Sequence, residues 1–595
     1  MALNLPLRKI LTEPSIPRGH SVIVYKKDDT TYAKTESGNI ICQNSPTECL
    51  QEAVNYLVPF GGGRILVKRG TYYPTQTVAI PDGIKLIIEG EGDSTVFRYT
   101  NSFVLFLHRP NDPTWTSVLS FRNFKVDRSG SDTNKANIIH VLYALYDEYD
   151  NITIVDDYRN VVEDVGLYGR NSIMSVVRNC RFFNKASPVW FHSFLVHIYG
   201  NYARNTALIG FAAGHLLPES VFGYKQPPGY PLDGLVVIED NVCIDCGRTD
   251  EAYAVDNEYN NPYAYGTGII RNNTLVTKDH TVHYAFVCGY IDKCIIENNT
   301  FIGSFSKLLI YDAFYRERPN LIIVRNNYIK STLVDTPEDS RIILLKVGKI
   351  IIENNYIDIN VTANTNIEYP VAMQYANYVV FKNNYFSLTL PSGFKSGYGI
   401  TIEDLGAGSR DLELVAVEDN NIKVSEGRPL TISLWGEYQT PPLVRVVGNR
   451  LYSGSSTDIF LGLRKNHVVK AVVLGNALEG GVSGLWLYAD PGLTPTLIFL
   501  HRDMQITPNS PPNITIRYAV KNSDIATFSG DGTTTQFKIA HRLVSTPRKV
   551  LVTPASANAT GQFYVTADNT YIYVNYLAPP PAGTNNIVLY WYAEV

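Results

Sequence analysis

This sequence predicts an all-β fold, a parallel β-helix followed by a small β-sandwich, and three observations predict it. The first is a repeated phrase in which an Asn, or an Asn pair, closes a β-branched run. It reads Ile-Arg-Asn-Asn-Thr-Leu at Asn272–Asn273, Ile-Glu-Asn-Asn-Thr-Phe at Asn298–Asn299 and Val-Arg-Asn-Asn-Tyr-Ile at Asn326–Asn327. Further copies stand at Asn354–Asn355, Asn383–Asn384, Asn420–Asn421, Gly448–Asn449 and Gly475–Asn476, with weaker ones at Asn123, Asn151, Asn179 and Asn241. The last Asn of successive copies are 28, 28, 62, 32, 26, 28, 28, 29, 37, 28 and 27 residues apart. A fixed period in this range marks a repeat architecture.

The second observation is the setting of each copy. Runs such as Leu321-Ile-Ile-Val-Arg-Asn-Asn-Tyr-Ile are short and rich in β-branched and aromatic residues, with a sharp corner after them. No 3.6-residue periodicity recurs within the unit, which excludes helical solenoids. Asn tolerates a left-handed corner, and identical amides stacked coil on coil hydrogen-bond along the axis, so these Asn read as scaffold. The third observation is that the repeat stops after Met504. From Ala526 on, the strands Thr535–Ile539, Lys549–Thr553, Gln562–Thr566, Tyr571–Tyr576 and Ile587–Tyr592 alternate with Gly, Pro and Asn turns, the grammar of a small sandwich.

In chain order, residues 1–44 form a head segment whose Ser21–Lys34 stretch reads as a hairpin turning at Asp28-Asp29. Ser45-Pro46-Thr47-Glu48 opens an amphipathic helix over 46–58, with Leu50, Ala53, Val54 and Leu57 on one face, placed to cover the open end of the first coil. The coils occupy 45–505 with this cap, 506–525 is a Pro-rich joint, and 526–595 is the sandwich. The period breaks twice. The 62-residue step contains Gly210-Phe-Ala-Ala-Gly-His and Gln226-Pro-Pro-Gly-Tyr-Pro, too rich in Gly and Pro for uninterrupted coils, and an excursion follows over 245–265. The 37-residue step is the other break.

Composition narrows the function. Charged residues are 18% of the chain and the net charge is −4, against 40 Tyr, so there is no basic footprint for nucleic acid. No apolar run reaches membrane-spanning length, which predicts no membrane insertion, and Met1–Lys9 lacks a secretory core. Seven scattered Cys do not make a disulfide scaffold. Cys243-Ile-Asp-Cys246 has metal-like spacing without a second pair and reads as buried thiols, and Cys42–Cys49 and Cys288–Cys294 are possible local disulfides in an oxidising compartment.

The order of helix, Gly61-Gly-Gly-Arg-Ile-Leu-Val, Gly70-Thr-Tyr and Val78-Ala-Ile-Pro-Asp-Gly resembles the start of pectate-lyase-like β-helix proteins, viral tailspikes among them. Gly530-Asp-Gly-Thr-Thr-Thr-Gln-Phe-Lys-Ile-Ala-His and Phe563-Tyr-Val-Thr-Ala resemble a terminal module of viral tail fibres, in particular those of archaeal spindle-shaped viruses. The resemblance implies a right-handed β-helix in a virion tail or spike, synthesised in the host cytoplasm. It further implies a homotrimer that meets other tail proteins and a host-surface glycan or glycoprotein. The alternative is a spike that degrades polysaccharide as a hydrolase or lyase, and a third reading is a cellular adhesin. The family's catalytic signatures, Asn-Thr-Asp, Gly-His-Gly and Arg-x-Lys, are absent, so no catalytic role transfers.

Chemistry is therefore sought in the excursion. Asp245, Asp250, Glu251, Asp256 and Glu258 are unaligned catalytic candidates, interleaved with Tyr253, Tyr259, Tyr263 and Tyr265 as candidates for stacking on sugar rings. The alternative is a solvated acidic loop or a subunit contact. Asp156-Asp157 reads as a strand end, Glu403-Asp404 as part of a turn, and His280-x-x-His283 as two rings on opposite faces of a strand. No metal or other cofactor is expected. Of the Asn-x-Ser/Thr sequons, Asn360, Asn513 and Asn558 are the glycosylation candidates, because Asn151, Asn272 and Asn298 belong to the ladder.

Overall fold

The computed structural model describes residues 21–130, 136–156, 164–217, 219–230, 234–247, 251–256, 266–278, 282–289, 291–312, 321–333, 343–362, 370–391, 398–404, 412–436, 438–504, 506–507 and 513–595. The chain divides into two units, Met1–Ala372 with Ser387–Phe394, and Met373–Phe386 with Lys395–Val595.

The first unit is a parallel β-helix in which three short strands of a coil each pair in register with their counterparts one coil away. Thr267–Arg271, Lys293–Glu297 and Leu321–Arg325 stack so that Ile270, Ile296 and Val324 form one inward row. Past the corner, Thr274–Val276 pairs with Thr300–Asp312, which pairs with Tyr328–Leu333. The third sheet brings Phe211–Gly214, Glu251–Asp256 and Val282–Gly289 together. In each strand alternate residues point inward, so a parallel register turns a β-branched run into continuous aliphatic columns.

The corner is a two-residue device. Its first residue takes a left-handed backbone, with Asp240, Asn272, Asn298, Asn326 and Asn354 at φ 55–58°. Its second residue is a buried Asn: Asn241, Asn273, Asn299, Asn327 or Asn355. Asn299 shows the pattern. Its Nδ2 donates to Ile270 O at 2.9 Å and to Asn327 Oδ1 at 3.0 Å. Its Oδ1 accepts from the backbone N–H of Asn273 at 2.9 Å and from Asn273 Nδ2 at 3.1 Å. Both amide protons and both lone pairs are thereby used, which is what allows an amide to be buried without penalty. The second unit repeats the device with Asn384, Asn420, Asn449 and Asn476 as rungs.

Three details of the ladder differ from expectation. Asn420, not Asn421, is the rung, because Asp419 is the left-handed residue. Asn123, Asn151 and Asn179 occupy the left-handed position, and the buried residues after them are Phe124, Ile152 and Cys180. The 62-residue step hides a rung: Gly200 is left-handed at φ 65° and Asn201 Nδ2 donates to Asn241 Oδ1 at 2.9 Å. Its signal, Gly-Asn, is the same one that marks Gly448–Asn449.

The hairpin Ser21–Lys27 and Thr30–Thr35 turns at Asp28, and Ser21–Lys27 also runs parallel to Gly62–Val67, so the head continues the first sheet. The capping helix is Leu50–Leu57, with Leu50, Ala53, Val54 and Leu57 buried. It starts later than its sequence suggests because Glu48 and Cys49 take positive φ, 54° and 61°. Disulfides join Cys42 to Cys49 and Cys288 to Cys294, whereas Cys180, Cys243 and Cys246 are free and buried. At the C-terminus, Lys521–Gly530, Gly583–Glu594 and Lys549–Pro554 form one antiparallel sheet, and Gln536–Ala540, Tyr571–Tyr576 and Phe563–Ala567 the other. The strand Lys521–Gly530 escaped the sequence reading because most of its residues are exposed and its alternation is weak.

The corner separates two kinds of Asn, and substitution should do so too. Asn327→Ala strands two donors of Asn299 and leaves Ile296 O unpaired. It is expected to cost about 3 kcal/mol, while Asn326→Gly, at a position glycine tolerates, should cost less than about 1 kcal/mol. Urea unfolding followed by circular dichroism measures both.

Candidate functional site

The excursion proposed from the sequence places its described residues inside the scaffold. Asp245 is fully buried at a left-handed corner, φ 55°, and its carboxylate accepts from the Lys278 backbone N–H at 2.5 Å. It takes the corner position that Asn205 and Asn184, φ 57° and 55°, take in neighbouring coils. Tyr253 is also corrected. It lies in the core, stacked between Phe211 and Phe286 at 5.9 and 6.0 Å, with its hydroxyl donating to Thr274 O at 3.0 Å, and no sugar can reach its faces. Glu251 and Asp256 lie in a paired strand, Glu251–Asp256, and their side chains are outside the described residues, as are Asp250, Glu258, Tyr259, Tyr263 and Tyr265. Asp157 and His280 are outside them too, with the side chain of His283.

The sheet that contains this strand does carry an outward chemical surface, a few coils away in the same unit. His140, Tyr168, Trp190 and Ala212 stand opposite one another along its outer face. The guanidinium of Arg170 lies 5.2 Å from the Tyr168 ring centre, 5.4 Å from Trp190 and 5.1 Å from Tyr224. Tyr168 and Trp190 meet edge to face at 6.3 Å, and His140 packs on Tyr168 at 4.7 Å. Burial, with Arg109 and Arg170 nearby, lowers the His140 pKa to about 4, so its ring is neutral at pH 7. Trp190 Nε1 donates to His192 Nε2 at 3.0 Å, which leaves His192 Nδ1 as the donor toward His215 O at 3.3 Å.

Tyr224 arrives on the Gly- and Pro-rich segment within the 62-residue break. Asn171, buried and left-handed at φ 52°, clamps that segment at both ends: its Nδ2 donates to Leu217 O at 2.8 Å and Lys225 O at 2.9 Å. Lys225 Nζ then ties the segment to Asp112 at 2.8 Å. The break in period was visible in the sequence. The rings it covers were not, since Tyr168-Gly-Arg170 and Trp190-Phe-His192 carry no motif beyond strand alternation.

Polysaccharide hydrolysis needs two reachable carboxylates roughly 5–10 Å apart, and four carboxylates of the described coils are sealed or engaged. Asp156 ends its strand as expected and is fully buried with Asp164, Arg128 and Lys185, with Lys185 Nζ at 3.2 Å from it. Glu148 is buried between Arg122 and Arg178, the latter at 2.6 Å. Asp147 is inside the coil, where burial raises its pKa to about 7 and the Ser175 hydroxyl donates to it at 2.9 Å. Glu403 is in the strand Tyr398–Asp404 rather than a turn, and accepts from Gln374 Nε2 at 2.9 Å. Among the described residues, no three His, Cys, Asp or Glu side chains gather as a metal site. Of the sequons, Asn360 and Asn558 are exposed, whereas the Asn513 amide is engaged with Leu493 O at 2.8 Å.

Residues 263–450 match the family described as the right handed beta helix region. The fold is similar to the tailspike of Pseudomonas phage phi297, at 11% identity over 92% of each chain and a TM-score of 0.33. It is similar to the tailspike of E. coli bacteriophage HK620 at 13% identity over 94% of this chain and 92% of that one, TM-score 0.35. The catalytic unit of a thermostable α-1,3-glucanase from Streptomyces thermodiastaticus aligns at 14% identity over 67% and 68% of the two chains, TM-score 0.36. Scores this low carry no argument about ligand or reaction. No curated protein sequence matches the chain.

Asp147 generates a pH prediction whose sign is fixed. Its folded pKa of about 7 lies above the unfolded value of 3.8, so the cost of burying its charge is absent below pH 4 and complete above pH 7. Stability falls as pH rises through that window, by at most about 4 kcal/mol. Asp147→Asn is therefore expected to raise the thermal midpoint at pH 8 and to leave it little changed at pH 4, as differential scanning fluorimetry across the range will show.

Proposed function

We propose that this chain is a virion attachment protein, a tail fibre or tailspike, that binds a host-surface glycan on the outer face of its β-helix. The observation that carries the reading is the cluster of Tyr168, Trp190 and Tyr224 around Arg170, held on in-register parallel strands. Sugar rings present C–H faces to aromatic planes and hydroxyls to donors such as Arg and His, and a rigid sheet holds both without the entropy cost of ordering a loop. The buried clamp at Asn171 extends that rigidity to Tyr224.

Two finer statements belong to the same proposal. The terminal module's likeness to tail fibres of archaeal spindle-shaped viruses supports a particle of that kind, joined through the head segment to other tail proteins. Rods of this type are bundled in threes, which supports a homotrimer. A monomeric mass by light scattering would refute the trimer.

Purified protein should adsorb to host cells and to their envelope glycans. Trp190→Ala, which removes the largest ring of the cluster, is expected to weaken adsorption about tenfold, the equivalent of about 1.4 kcal/mol, with the thermal midpoint little changed. Full-strength adsorption by this variant would overturn the assignment of the site. Assaying the same incubation for new reducing ends or unsaturated sugars tests the depolymerising alternative.

A further inference from the structure

The second unit carries a cluster of its own, on the sheet containing Tyr398–Asp404, Arg428–Leu434, Arg450–Leu463 and Ala477–Ala489. Thr401, Thr431, Phe460 and Trp486 stand opposite one another in one row of that sheet. The next residue along each of the last three strands, Ile432, Leu461 and Leu487, is buried in the core, so the row lies on the outer side of the sheet, where Thr401, Thr431 and Phe460 are buried and Trp486 half-buried. Arg428 lies 4.4 Å from the Trp486 ring centre and 5.1 Å from Phe460. Arg464 lies 4.5 Å from Tyr488 and 4.9 Å from Trp435, and its Nη1 donates to Asp490 at 2.8 Å. Gly462 makes room for the ring beside it, since a Cβ there would come within 2.7 Å of the Phe460 ring.

Five buried polar atoms in this cluster have no hydrogen-bond partner: Trp435 Nε1, Trp486 Nε1, Arg464 Nε, Thr401 Oγ1 and Thr431 Oγ1. Thr401 is 0% exposed and Thr431 3%. Native proteins leave few such groups, and a concentration of them calls for an absent partner. The indole and guanidinium nitrogens can only donate, and the hydroxyls can donate too. The missing partner is therefore an acceptor. A neutral sugar hydroxyl brings a proton that needs an acceptor of its own, whereas a carboxylate or sulfate brings lone pairs alone. Cations laid against aromatic rings add a positive field within an apolar frame. The described carboxylates nearest the cluster are already engaged, Asp490 by Arg464 and Glu403 by Gln374 Nε2 at 2.9 Å.

We propose that this cluster binds the acidic group, carboxylate or sulfate, of a charged saccharide. The proposal deepens the reading of the chain as a glycan-binding protein and rests on it. The test uses the full chain and isothermal titration with three probes: a tetragalacturonate, its carboxyl-reduced neutral counterpart, and a sulfated heparin tetrasaccharide. At least one acidic probe should bind ten or more times tighter than the neutral one, and the carboxylate and sulfate arms tell which group is preferred. Trp435→Phe with Trp486→Phe keeps both rings and removes both N–H donors. This variant should lose the preference for acid while keeping its thermal midpoint and its adsorption through the Trp190 cluster. Equal binding of acidic and neutral probes, or a preference that survives the double substitution, overturns the acid site and leaves the attachment function standing. Failure of all three probes to bind also overturns the acid site, while the attachment function stands or falls separately on adsorption to host cells.

Discussion

The structure depends on one constraint: an amide can sit in the core of a coil only if all four of its hydrogen-bonding positions are used. Asn299 meets it by donating to one neighbouring rung and one backbone carbonyl while its oxygen accepts two N–H groups from the other neighbour. Each interior rung is satisfied by the rungs before and after it and by a carbonyl of the neighbouring coil, so the interaction exists only in a stack. That makes the corner cooperative, and it makes coil length a consequence of bringing the next Asn into reach. The aliphatic columns contribute more apolar burial and select the register, since a slip of one residue would turn them outward. The rung reinforces that choice, because the same slip would leave buried amides unsatisfied.

A backbone so constrained leaves chemistry to the outer faces and to segments that leave the coil. Tyr168 and Trp190 gain exposure from simple alternation along a strand, and Tyr224 from an excursion pinned by Asn171. Asp245 and Tyr253 illustrate the converse. They lie beside an excursion in sequence, yet corner geometry claims the first and the aromatic stack claims the second. Position near an irregular segment was a sound guide to the region and a poor guide to the side chain.

The architecture was largely legible because it is written in repetition. The period, the Asn pairs, the capping helix and five of the terminal strands follow from patterns that local sequence carries. What was illegible is instructive. Asn201 hid because the coil that follows it is long, 40 residues to Asn241, so the period looked broken where the ladder continues. Asn123, Asn151 and Asn179 looked like rungs because Asn serves both positions of the corner, and only the residue after it tells which. The aromatic–arginine clusters had no sequence signal, since Arg428 and Trp486 are 58 residues apart and meet only through the register of two coils.

The two treatments of buried polar groups in this chain bear on where its ligands go. Along the ladder, the structure satisfies amide after amide, over five rungs from Asn241 to Asn355 in the first unit and four from Asn384 to Asn476 in the second, with hydrogen bonds between 2.7 and 3.1 Å. In the Arg428–Arg464 cluster it leaves two indoles, a guanidinium nitrogen and two hydroxyls unpaired within a few side chains of one another. The ladder pairs its amides completely, whereas these donors stand without a partner. Their shared character is the capacity to donate, and the partner proposed for them is an acceptor.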